Sequence, residues 1–130
     1  MRTRNVVVLM FAALTATACS KSESSGTAQG TAAAKADMTQ AKEVFQQRCV
    51  LCHGANGKGD GVGAAALDPK PRNYTDKAWQ KSVTDEQLKK TIIGGGAAVG
   101  KSAGMTPNPD LEAKPEVVEG LVQIIRGFGK

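Results

Sequence analysis

An all-α fold of three to five helices is what this sequence predicts, on three observations. Residues recur at helical spacing in three segments: Met38, Ala41, Val44, Phe45 and Arg48; Leu88, Thr91 and Ile92; and Val117, Val118, Leu121, Val122, Ile124, Ile125 and Phe128. Each segment is preceded by a start signal. Asp37 with Gln40 and Thr84 with Gln87 have the spacing of capping boxes, and Pro115 suits a first helical turn because its missing N–H is not needed there. Glycines then break the pattern. Gly94-Gly95-Gly96 is a strong stop, and Gly54, Gly57, Gly59, Gly61 and Gly63 are too many to sustain a helix. A shorter helical turn is expected around Trp79, over residues 75–81.

The first helix should run from about Met38 into Cys49-Val50-Leu51-Cys52-His53, the stretch that carries the chemistry. C-x-x-C-H is the attachment pattern of a c-type haem. Two cysteines three apart share one face of a helical turn, from which both sulfurs can form thioethers with the two vinyl groups of one porphyrin. The next residue, His53, is then carried under the iron as proximal ligand. A bare C-x-x-C also suits half a zinc site or a thioredoxin-type pair. Zinc needs further ligands, yet no Cys or His follows His53, and the helical, glycine-rich flanks do not suit a βαβ unit. The expected cofactor is therefore one covalently attached haem c. A flat apolar cofactor would also supply core to a 130-residue chain with only five aromatic residues, of which Phe11 is near the N-terminus.

Residues 1–18 read as an export signal: Arg2 and Arg4 form a basic start, and Val6 to Leu14 is an apolar run too short to span a bilayer. Ala16-Thr17-Ala18 fits ordinary cleavage. The Cys19 that follows also resembles the lipidated cysteine of a bacterial lipobox, although Ala16 stands where Leu is usual. An unpaired cysteine at the cleavage point favours lipidation, with several acyl chains giving stable anchoring. Residues 19–36 are rich in Ser, Ala, Gly and Thr without apolar period, and read as a flexible tether reaching about 20–25 Å. The folded domain is assigned to 37–130. Formal charge is +5, falling to +3 without Arg2 and Arg4. That mild excess suggests acidic partner surfaces and not nucleic acid; Lys58, Lys70, Lys77, Lys89, Lys90 and Lys101 are candidates for a steering rim.

The run Cys49 to Gly61, C-x-x-C-H-G-x-x-G-x-G-D-G, with Leu67, Pro69 and Pro71 after it, resembles small bacterial monohaem class I cytochromes c over residues 37–130. The resemblance implies a class I cytochrome c fold, with the last helix packed across the first through Phe45 and Phe128. It also implies that a loop proline carbonyl, of Pro71 or Pro69, accepts a hydrogen bond from His53 Nδ1. Arg72, Asn73 and Tyr74 are candidates to bind a haem propionate, and Trp79 to line the pocket or serve as core. The sixth iron ligand falls to Met105. His53 is the sole histidine, Met1 and Met10 leave with the leader, and Met38 lies on the helix feeding the proximal side. Met105-Thr106-Pro107 departs from the family's usual Met-Pro. A closed Met/His site transfers electrons, so the expected function is one-electron transfer outside the cytoplasmic membrane, between redox proteins, without bond-making on a small-molecule substrate. The alternatives are a haem subunit of an oxidase or reductase complex, and a sensor or peroxidase in which Met105 is labile.

Overall fold

The computed structural model describes residues 35–130. The expected signal, Cys19 and nearly all of the tether lie outside the described residues. Helix α1 (Met38–Val44) begins where Asp37 Oδ1 accepts from the Thr39 and Gln40 amides, at 3.1 and 3.0 Å. Only this half of the expected capping box forms. The helix then widens into a π-helical turn (Phe45–Cys49), in which the Val50 amide reaches back to the Phe45 carbonyl, and closes as α2 (Val50–His53). No residue type in the sequence signals that turn, and such bulges concentrate at functional sites.

Asp76 caps α3 (Lys77–Ser82), the expected turn around Trp79. Thr84 and Gln87 form a complete capping box on α4 (Asp85–Gly94), which stops at Gly95 with φ +72°. Helix α5 (Pro115–Gly127) has Pro115 in its first turn. Short 3-10 turns cover Val62–Ala66, Ala97–Val99 and Pro109–Leu111. The described residues contain no strand, so the domain is all-α as expected. No described helix is long and apolar enough to cross a membrane.

One core holds these helices. Val117, Val118, Leu121, Val122 and Ile125 on α5 pack with Ala41, Phe45, Leu88, Ile92 and Leu111. The Phe45 and Phe128 ring centroids lie 5.7 Å apart, which brings together the two residues expected to meet. Close approach of α1 and α5 depends on Gly120, where an added Cβ would lie 2.6 Å from Ala41 Cβ and 2.9 Å from the Asp37 carbonyl oxygen. Gly120→Val should therefore cost roughly 1–3 kcal/mol by overpacking, seen as a lower urea midpoint; an unchanged midpoint would mean the helices do not rely on this contact.

Arg126 joins α5 to the α3–α4 junction. Its guanidinium donates to the Gln80 and Val83 carbonyls, both at 2.7 Å, to Gln80 Oε1 and to Asp85 Oδ1. Charged donors satisfying several acceptors at once are among the stronger hydrogen bonds.

Candidate haem-binding site

The helical turn carrying the motif presents Cys49 and Cys52 as half-buried free thiols, with His53 buried directly after them. Burial pushes the free Cys49 thiol up to about 11 against the opposing charge of Arg48. Among the described residues, no group of three or more His, Cys, Asp or Glu side chains converges to hold a metal ion.

The loop after His53 folds back on the helix end. The Gly59 amide donates to the His53 carbonyl at 2.9 Å, and the Gly61 amide to the Cys52 carbonyl at 3.2 Å. Gly59 has φ +76°, in the left-handed region, and an added Cβ would lie 2.3 Å from the Pro71 carbonyl oxygen. Both the dihedral and the space require glycine.

That contact explains a correction. The carbonyl that accepts from His53 Nδ1 belongs to Arg72, at 3.2 Å, and not to Pro71 or Pro69. The Pro71 carbonyl is packed against Gly59, and Pro69 stands exposed earlier in the loop. The bond's chemical role is unchanged. A carbonyl can only accept, so Nδ1 carries the proton and Nε2 presents its lone pair, the tautomer a metal-bound histidine needs.

Nε2 faces the Tyr74 hydroxyl at 3.0 Å, and the two rings stack with centroids 4.4 Å apart. Tyr74 therefore donates to the Nε2 lone pair, the one that would hold a haem iron. Burial holds the Tyr74 phenol well above its ordinary range, so it remains a donor. The donor set fits haem c: two thiols on one turn, and an adjacent imidazole whose far nitrogen is fixed by backbone.

Tyr74 also stacks on Trp79, at 5.7 Å, and the Arg72 guanidinium lies 5.1 Å over the Trp79 ring while paired with Asp76. The structure thus brings Arg72, Tyr74 and Trp79 together beside His53. Asn73 is used locally instead, its Oδ1 accepting from Thr75.

Met105 is half-buried in the loop after α4 and held through its backbone. Its carbonyl accepts from Gly96 N at 2.9 Å, and an added Cβ on Gly95 would lie 2.6 Å from that oxygen. The triple glycine therefore does more than stop α4; it makes room for the Met105 loop. Asn108 secures the loop's far end by donating to the Ile92 and Ile93 carbonyls. Arg48, next to Cys49, bridges to Asp110 at 2.9 Å. Sequence reasoning missed Asn108, Asp110 and Arg126, which carry no motif.

Burial lowers the His53 pKa, with the Arg72 carbonyl partly opposing the shift. The buried imidazole is thus held neutral, the form that can ligate a metal.

An all-α domain holding a covalent haem c at Cys49, Cys52 and His53 is a one-electron transfer module. The sequence profile of the Cytochrome c family matches residues 38–126, and the chain belongs to that family. It is 29% identical over 94 residues to the Cbb3-type cytochrome c oxidase subunit FixP of Bradyrhizobium sp. (strain ORS 278), a match covering 72% of this chain and 28% of that protein. The chain thus spans little more than a quarter of that curated relative. Among solved structures it is similar to the KustC0563 c-type cytochrome, with 29% identity, a TM-score of 0.52, and coverage of 69% of this chain and 98% of the other. The described domain is thus a c-type cytochrome domain with one haem-attachment motif, of a family of electron carriers. Its family is consistent with a place outside the cytoplasm.

Proposed function

We propose that this cytochrome shuttles single electrons along a respiratory chain on the outer side of the cytoplasmic membrane, closed at the iron by Met105 and tethered by a lipidated Cys19. The observation that carries the reading is the fixed orientation of His53, whose Nδ1 bond to the Arg72 carbonyl aims Nε2 away from the backbone. Bound haem iron supplies the redox chemistry, changing by one electron between ferric and ferrous. The chain's part is to hold one ligand geometry through that change. Arg48–Asp110 and Asn108 tie the Met105 loop to the helices, supporting Met105 as a ligand that stays in place. Arg72 and Trp79, stacked on each other beside Tyr74, are suited to meet a propionate. The chain-wide charge of +5 favours acidic partners at long range.

The test is optical. Oxidised holoprotein should show the weak far-red methionine-to-iron charge-transfer band, and reduced protein should be unreactive to carbon monoxide. Ready carbon monoxide binding by the wild type would sink the closed-site reading and favour the sensor or peroxidase. A second reading, a fixed oxidase or reductase subunit, draws on the likeness to FixP, by its name an oxidase subunit. Co-purification with other subunits after detergent extraction would support it.

A further inference from the structure

Resting on His53 as the proximal ligand, we propose that Gln80 is a positioning residue for the haem iron. With Arg126 behind it, its side-chain amide fixes the loop whose carbonyl orients the His53 ring. That carbonyl belongs to Arg72, within residues 68–76, which form no helix. Contacts from outside must therefore keep the segment in place. Within residues 68–74 the one backbone–backbone hydrogen bond runs from the Tyr74 N–H to the Gly57 carbonyl, at 2.7 Å. The Tyr74 carbonyl in turn accepts from Gln80 Nε2 at 2.8 Å. Tyr74 is thus pinned through both of its backbone groups, two residues from the carbonyl that sets His53.

The Gln80 amide fits in one orientation only. Its Nε2 also donates to the Ile125 carbonyl at 2.9 Å, and its Oε1 accepts from Arg126 Nη1 at 2.9 Å. Two carbonyls need the amide's two N–H groups, and a guanidinium needs its oxygen. Arg126 is itself held by the Gln80 and Val83 carbonyls and by Asp85 Oδ1. Hydrogen bonds therefore lead from the last helix to the His53 ring: Arg126 to Gln80, Gln80 to Tyr74, and His53 to Arg72.

A tie that only braced α3 against α5 would need the Ile125 and Arg126 contacts alone. The donation to Tyr74 is the one that reaches the site. Tyr74 is buried, and a buried carbonyl stripped of its donor is costly, so the loop shifts to satisfy it. Such a shift weakens the bond between His53 Nδ1 and Arg72. The imidazole is then a poorer donor to iron, which favours the ferrous state.

The experiment follows the His53 Nδ1 proton by NMR in reduced holoprotein, together with the solution potential. Gln80→Met keeps the side chain's length but donates nothing and adds no charge. It should speed exchange of that proton with water roughly tenfold or more, as expected for an unmade buried hydrogen bond, and raise the potential. Gly120→Val, which strains the α1–α5 contact, should leave both at their wild-type values. Gln80→Glu still accepts from Arg126 but loses both donations; it should speed exchange as Gln80→Met does, and replaces it if Gln80→Met takes up no haem. A Gln80 variant whose exchange rate matches wild type, whatever its melting temperature, would overturn the proposal and leave a structural tie only. A wild type without a protected Nδ1 proton would overturn the role of His53 itself, and this inference with it.

Discussion

Met105→Ala should lower the reduction potential by on the order of 100 mV, within the span of about 0.8 V that axial ligation commands, and open the reduced iron to carbon monoxide. A thioether is a weak donor that favours the ferrous state, so its loss favours the ferric. The carbonyl of residue 105 makes the bond to Gly96 N, and alanine keeps that bond. The loop should therefore stay in place, with the change confined to the ligand. Spectropotentiometry and carbon monoxide difference spectra check both effects. A variant with unaltered potential and no carbon monoxide binding would show that another group closes the sixth position.

Gly59→Val should be the most damaging single substitution outside the haem ligands and thiols. It forces a β-branched residue to φ +76° and sets a Cβ 2.3 Å from the Pro71 carbonyl oxygen. The backbone strain costs about 1–3 kcal/mol, and the overpacking costs roughly as much again. The loop must move, carrying the Arg72 carbonyl off His53 Nδ1, so a shifted potential should accompany the lower melting temperature. Gly100→Ala is the matched control. Its φ is +68°, but an added Cβ meets nothing within 4 Å, so only the strain should register. Equal losses in the two variants would show that the Pro71 contact is unimportant.

Much of this was readable from residue types that act locally. Thr84 and Gln87 cap α4 because a hydroxyl and an amide three residues apart can reach each other's backbone. Gly95 ends the same helix, and Pro115 opens α5. Cys49, Cys52 and His53 share one helical turn by arithmetic alone. What was hidden depends on the path of the backbone. Which carbonyl meets His53 is decided by how the loop packs Gly59 on Pro71, and a carbonyl has no residue signature. The widened turn at Phe45–Cys49, the Ala41–Gly120 contact and the five donations of Arg126 join segments distant in sequence. The Tyr74 hydroxyl's approach to Nε2 likewise follows from the loop's path.

The most direct test of covalent haem attachment is the intact mass of the mature protein, measured after denaturation and treatment with iodoacetamide. The structure and family predict polypeptide plus one haem, with neither Cys49 nor Cys52 alkylated. A haem-free mass, with both thiols carrying the alkyl label, would contradict the account at its root.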